Sequence, residues 1–447
     1  MYVALDPFRA LSNGDLYWQR WLGDYAIVWH HLPTALGNET FTATGASYVP
    51  QEWFISLVVA IAMRYHLLLP LAMLMAVIPI AILVSIYFRS RRTASAEAIA
   101  AVLLLTGVAL VASFGIRAQV LGWGCFAAFL LCIERRDRWA YAAVPIVVIW
   151  ANVHASVLLA PAYLLFRLAG TAFSDGLPAM LKTRDLRILA LALPAMLCTP
   201  LGWHLPAYGV ALSVSPIRHY IEEWQPATFR DLEFMLGGLP LALLIAVAAL
   251  RTGPRDMRET LPAAALFVAM LLAVRNIPLF AIAAAPLAAR SLDALLPSFS
   301  RIGKKIAEME RFALISIGVA VIGSALFLAR LQRLEPPPSS VTAIASLGDA
   351  GVPRRVFCEN FYACSAALGY PSLRVFIDGR ADPYPLSVWR SYLSVIQLTP
   401  SWKRVLGEYG VDAVLASSGD RFAIALSREP DWKRSFEDGG FVVFRHD

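Results

Sequence analysis

The stretch HLLLPLAMLMAVIPIAILVSIYF, residues 66–88, runs 23 positions without an acid, a lysine or an arginine, and is followed at once by Arg89, Arg91 and Arg92. At about 1.5 Å per residue a helix of that length reaches roughly 35 Å, enough to cross a hydrocarbon core of about 30 Å. Further apolar runs follow it. They are Ala96–Phe114, Ala118–Ile133, a pair across Trp139–Phe166 turning near Asn152, Ile188–Trp203, Met235–Leu250, Glu259–Val274, Ile277–Ala289 and Phe312–Ala329. Ala118–Ile133 and Met235–Leu250 are nearer 16 residues, so tilt or local thinning must make up the difference. The expected fold is mainly α: a polytopic helical membrane protein of about ten spans.

The basic residues between these runs fall in alternate gaps. One set of gaps holds Arg89, Arg91 and Arg92; Arg135, Arg136 and Arg138; Arg167, Lys182, Arg184 and Arg187; Arg251, Arg255 and Arg258; and Arg290, Arg301, Lys304, Lys305 and Arg311. The intervening gaps hold Arg117, Arg218, Arg230 and Arg275. Eighteen against four puts the first set in the cytoplasm and the second outside. The same arginines account for the net charge of +7, so the composition implies no nucleic-acid partner. A 58% hydrophobic share and 16% charged residues exclude an ordinary soluble domain.

The expected organisation is an outer N-terminal segment over 1–65, a transmembrane module over 66–330, a proline-rich linker over 331–340 and a soluble domain over 341–447. In the N-terminal segment Trp18, Trp21, Trp29, Tyr48 and Trp53 suit a membrane interface, and Glu52–Met63 reads as an interfacial amphipathic helix or the shallow start of a span. In the soluble part Arg355–Cys358, Arg374–Asp378, Ala413–Ala416 and Phe441–Phe444 read as strands. Helical stretches near Val341–Leu347, Leu386–Ile396, Trp402–Tyr409 and Arg421–Leu426 alternate with them, which predicts a small extracytoplasmic α/β layer. Cys125, Cys132 and Cys198 lie in apolar spans as packed thiols, while Cys358 and Cys364 are read either as a disulfide or as two thiols.

The outer-side polar residues flank or interrupt apolar runs, where ionisable groups are costly and point to function. The carboxylates Asp15, Glu39 and Glu52 are the candidate catalytic residues. Arg117, Gln119, Asn152, His154, Glu223, Arg275 and Asn276 are the candidate substrate-binding set. Acids for deprotonation beside arginines for an anion suit a substrate that carries a phosphate at the membrane surface. No Cys/His cluster has zinc spacing and no phosphate loop is present in the sequence. A divalent metal is left open by carboxylates alone.

Several segments, in order, resemble a group of bacterial multi-pass proteins with GT-C-type glycosyltransferase architecture. Gly14-Asp15-Leu16-Tyr17-Trp18, with Gly23, is similar to that group's Asp-x-Trp-Trp-His-Leu-x-x-Gly opening, and Glu39-Thr40-Phe41-Thr42 to its Asp-Pro-Phe-Ser. Gln51-Glu52-Trp53-Phe54 looks like its His-Glu-Trp-Leu, and Trp150-Ala151-Asn152-Val153-His154 like its Trp-x-Asn-x-His. Thr199-Pro200-Leu201-Gly202-Trp203, Ile221-Glu222-Glu223-Trp224 and Phe376-Ile377-Asp378-Gly379-Arg380-Ala381-Asp382 are similar to its Asn-Pro-x-Gly-Trp, Glu-Trp and Asp-Gly-Arg elements. The resemblance implies a polyprenyl-phosphate-linked sugar as donor, inversion at the anomeric carbon, and Asp15 as the base that activates the acceptor. It also implies a location in the bacterial inner membrane, with membrane lipid as a partner. Gln19 and Gln51 stand where the group has histidines, so no imidazole acts at those positions. GT-C proteins normally carry a helix ahead of the acidic loop. Met1–Gly14 has none, so about 20 further apolar residues are expected upstream.

Plainer readings stand beside these. Asp15 is also a favoured N-cap for a helix over Leu16–Leu22. Glu52 reads equally as an interfacial charge, and Asn152 with His154 as a pair that satisfies backbone at a tight turn. Arg117 and Arg275 read as snorkelling side chains, and Asp378-Gly379-Arg380 as a turn with an internal salt bridge. A transporter or flippase, or a non-catalytic assembly protein, is the alternative to sugar transfer. Acids gathered at one face rather than deep in the spans favour surface chemistry over transport.

Overall fold

The computed structural model describes residues 15–110, 115–252, 256–295, 339–348, 354–438 and 440–446. Met1–Gly14, the expected span Phe312–Ala329, the basic residues Arg255 and Arg301–Arg311 and most of the proline-rich linker lie outside them. The described residues form two units. One comprises 69–213 and 221–295; the other comprises 15–68, 214–220 and 339–446.

The first unit is helical. Leu68–Ser90, Ala155–Asp175, Phe234–Arg251 and Val274–Leu295 are long and apolar enough to cross a membrane, and Ala96–Ala109, Ala118–Ile133 and Arg138–Val153 are shorter apolar helices. The run expected over Ile188–Trp203 is broken. A helix over Arg184–Ala195 gives way to turns through Pro200 and Gly202 (φ +49°), and a second helix, His204–Val214, starts beyond them. Proline lacks the amide that would carry the helix on.

Pro286 has a comparable effect inside Ile277–Leu295. Its missing N–H leaves the Ile282 carbonyl without its helical donor. The Arg89 guanidinium takes that place at 2.8 Å, while its other face pairs with Glu134 at 2.6 Å. Arg184 donates to the carbonyls of Ile133 and Asp137, Arg167 pairs with Asp185 at 2.8 Å, and Asp293 accepts from the Ser95 backbone and hydroxyl. Arg258 pairs with Asp175 and Arg290 with Glu259. These contacts join helix ends into one polar rim, and all the described basic clusters sit on it. Arg117 lies at the other end of the 16-residue helix Ala118–Ile133, about 24 Å from Glu134 by helical rise. The clusters therefore share one end of the helical unit, as the charge pattern predicts.

The second unit joins the start of the chain to its end. Helices Asp15–Trp29 and Trp53–Arg64 cross at Gly23, where a Cβ would lie 2.2 Å from the Ser56 carbonyl oxygen and 2.6 Å from the Ala60 Cβ. Only glycine permits that approach. The sheet has strands β1 (Arg354–Cys358), β2 (Leu373–Val375), β3 (Ala413–Ser417), β4 (Trp432–Asp438) and β5 (Phe441–His446), in the order β2-β1-β3-β5-β4. The first three are parallel; β5 runs antiparallel to β3 and β4. The loop between the first two helices covers the free edge of β2, with Thr40 paired to Val375 in parallel register. Val375 donates its N–H to the Glu39 carbonyl at 2.8 Å, and its own carbonyl accepts from Phe41 N–H at 3.3 Å. Phe357, Phe376, Trp389, Phe422 and Phe444 fill the core. Cys358 and Cys364 form a disulfide at the end of β1.

Two sequence readings change here. The strand expected over Arg374–Asp378 ends at Val375, because the chain turns at Asp378 to close around Arg380. The edge strand β4 was not foreseen.

Candidate functional site

Arg380 organises the second unit. Its side chain is fully buried and donates from Nε and Nη2 to Asp378, at 2.6 Å for the shortest contact, and from Nη1 to Glu39 at 2.9 Å. Tyr384 gives its hydroxyl to the same Asp378 oxygen at 2.6 Å. The guanidinium carbon lies 4.5 Å from the Trp21 ring centroid and 5.6 Å from that of Tyr48. Burial works against the charge of Arg380, but Asp378 more than restores it, and its pKa stays well above the usual arginine range. Burial pushes the phenols of Tyr48 and Tyr384 well above theirs, so both remain neutral.

The turn that carries Arg380 is held from both sides. Ala381 sits at φ +56° and its carbonyl accepts from Trp389 Nε1. Gly379 receives the Trp18 ring: a Cβ there would stand 2.8 Å from Trp18 Cδ1 and 2.9 Å from the Ser365 hydroxyl. The Asp15-Leu16-Tyr17-Trp18 and Asp378-Gly379-Arg380 motifs, from opposite ends of the chain, thus pack on each other.

Above this frame are Asp15 and Glu52. Asp15, the first described residue of its helix, accepts from Trp18 Nε1 at 3.1 Å. Gln19 lies one turn further along the same face. Its amide donates to one Glu52 oxygen at 3.0 Å, and the Gln51 amide donates to the other at 3.0 Å. The two glutamines that stand in place of histidines therefore grip one carboxylate. The Gln19 side chain is buried, and its Oε1 has no hydrogen-bond partner among the described residues.

The first unit holds the other cluster, centred on Glu223. Arg275 Nη1 reaches it at 2.9 Å, Gln119 Nε2 at 3.0 Å and Arg117 Nη1 at 4.0 Å. Arg275 also stacks 4.3 Å over the Trp224 ring. Burial raises the Glu223 carboxyl, yet the two guanidinium groups and the Gln119 amide outweigh it, and the group titrates below the usual carboxylate range. Two arginines against one acid leave a net positive charge at the N-cap of Ala118–Ile133, where helical N–H groups also favour an anion.

Asp15, Glu39 and Glu52 thus fall in the second unit, and Arg117, Gln119, Glu223 and Arg275 gather in the first. Asn152, His154 and Asn276 make hydrogen bonds to backbone. Asn152 donates to the carbonyls of Val148 and Cys198, His154 Nδ1 accepts from Ser156 N–H, and Asn276 donates to the Ala269 carbonyl. From sequence Trp21 and Tyr48 read only as interfacial aromatics, Trp224 only as part of a motif, and Tyr384 was not singled out. Their signal was there, since each lies within a few residues of a motif. Among the described residues no group of three or more His, Cys, Asp or Glu is arranged to hold a metal ion.

A bundle of apolar helices together with a small sheet domain built onto the first acidic loop is the GT-C architecture. The chain has it over nearly its whole length. The archaeal oligosaccharyltransferase AglB from Archaeoglobus fulgidus, solved with an inhibitory peptide and a dolichol-phosphate, matches with a TM-score of 0.58 at 12% identity, over 98% of this chain and 72% of its own. ArnT from Cupriavidus metallidurans matches with 0.52 at 15% identity in the apo state, over 99% of this chain and 96% of its own. Bound to undecaprenyl phosphate, it matches with 0.51 at 18% identity, over 99% and 95%. No protein-family model matches the chain, and no curated relative does. At such identities the likeness is one of fold.

Proposed function

We propose that this protein is an integral membrane glycosyltransferase, moving a sugar from a polyprenyl-phosphate donor to a lipid or polymer acceptor at the outer face of the bacterial inner membrane. The observation that carries this reading is the carboxylate site around Asp15, built on the buried, hydrogen-bonded Arg380 frame. Asp15 takes the proton from the acceptor hydroxyl or amine as that atom attacks the anomeric carbon. The bond from that carbon to the donor phosphate oxygen breaks, and configuration inverts. Glu52, held by Gln19 and Gln51, faces the positive charge that develops on the sugar ring. Glu39 holds Arg380 and so positions the frame. Within the first unit, Arg117 and Arg275, with Glu223 keeping their guanidinium groups in place, form a positive cluster of a kind that suits a phosphate.

The outward orientation draws support from the rim of arginines at one end of the helical unit. The Cys358–Cys364 disulfide suits a domain outside the cytoplasm. Solved structures of this architecture with dolichol-phosphate or undecaprenyl phosphate bound support the donor class. Glu52, with each oxygen taken by an amide, favours a second reading as a non-catalytic assembly protein. Purified protein in lipid, given a labelled sugar on polyprenyl phosphate, tests both. Donor-dependent transfer to an acceptor is expected. Binding of polyprenyl phosphate with no transfer from any donor would leave the non-catalytic reading standing.

A further inference from the structure

We propose that the sheet domain carries a saccharide-binding site of its own, which takes one neutral or amino sugar ring. A cavity of about 250 Å³ opens between the helix Trp402–Glu408 and the start of β4. The helix ends in a Schellman turn, in which Val411 N–H reaches the Leu406 carbonyl and Gly410 N–H that of Gly407. Gly410 adopts φ +60°, where a side chain would be strained and would meet the Arg355 guanidinium at 2.9 Å. This turn keeps one wall free of bulk.

Trp402 and Trp432 line the cavity, and His446 meets the Trp432 ring edge-on with centroids 4.9 Å apart. Trp402 is buried with the Lys403 ammonium 5.7 Å over its ring, so the half-buried Trp432 supplies the aromatic surface for the apolar C–H face of a pyranose. Asp412, Glu429 and Asp431 supply acceptors for ring hydroxyls. Asp412 is pinned by the Arg355 backbone N–H at 2.8 Å, and Glu429 by Lys403 at 2.7 Å. Three carboxylates against Lys403, with His446 on the same lining, disfavour phosphates and uronic acids. The volume lies below the roughly 300–1,000 Å³ of drug-sized sites, which suits one sugar ring inside it. The site involves none of the residues assigned to sugar transfer, and it stands or falls without that activity.

Ligand-observed saturation-transfer NMR on the full chain in detergent micelles tests the proposal with glucose, glucosamine, glucuronate and arginine amide as probes. Glucose or glucosamine should bind in the millimolar range and glucuronate should not. Trp432→Ala should weaken binding about tenfold or more. The exposed Asp431→Asn, which leaves the fold alone, should weaken it measurably, and Asp15→Asn should not change it. Sugar binding that survives both pocket variants, no response to either sugar, or a response to arginine amide alone would overturn the proposal.

Discussion

Arg380 places one cation between two acids, Asp378 and Glu39, that are far apart in the chain. Removing one member of a buried charge network strands the others, at a cost of about 3–5 kcal/mol. Arg380→Met should therefore lower the Tm sharply. Arg380→Lys should rescue little, because an ammonium cannot fork onto a carboxylate. Glu39→Gln, which retains an acceptor, should cost less than either. Glu223 gives a prediction of a different kind. Its folded pKa is depressed, so its contribution to stability is complete above the ordinary carboxylate range and is lost as pH falls through the folded value. Thermal melts should show no Glu223-dependent change from neutrality down to that range. Below it, Glu223→Gln should flatten the acid loss of Tm. Sequence reading singled out the acids and arginines at this scale because charges at the edges of apolar runs stand out. It read Gln19 and Gln51 only as lost imidazoles. That both amides converge on Glu52 depends on how two helices cross, which no local pattern reports.

The elements divide in the same way. Helices Leu386–Ile396, Ala118–Ile133 and Arg421–Leu426 match their apolar runs residue for residue. Strand β4, Trp-Lys-Arg-Ser-Phe-Glu-Asp, lacks strand alternation and is mostly exposed; it is a strand because β5 pairs with it. Asp438-Gly439-Gly440 was the available hairpin signal. At Gly379 a close approach decides an element's position. Gly379→Ala should push the Asp15–Trp29 helix away from the Arg380 turn, costing about 1–3 kcal/mol by overpacking. A lowered Tm together with altered tryptophan fluorescence would register it. Unchanged melting would mean that the Trp18 contact does not hold the helix.

At the scale of the molecule, the charge pattern alone was enough to gather the described basic clusters at one end of the helical unit. The sequence was read as four segments in series, yet 15–68 belongs with 339–446 in one unit. The contacts responsible, such as Thr40 with Val375 and Glu39 with Arg380, join residues more than 300 positions apart, where periodicity carries no information. Cysteines placed at Arg91, Arg136 and Lys182 should resist an impermeant thiol reagent in intact cells, while one at Arg218 should react. Protection at 218 would reverse the orientation. Asp15 is proposed as the base of a transfer reaction. The most direct measurement is the rate of sugar transfer from a polyprenyl-phosphate donor by Asp15→Asn beside the unaltered protein, each with its melting curve. The amide is nearly isosteric but takes no proton, so the account predicts a loss of about 10²–10⁴-fold at an unchanged Tm. A variant that transfers sugar at the full rate would contradict it.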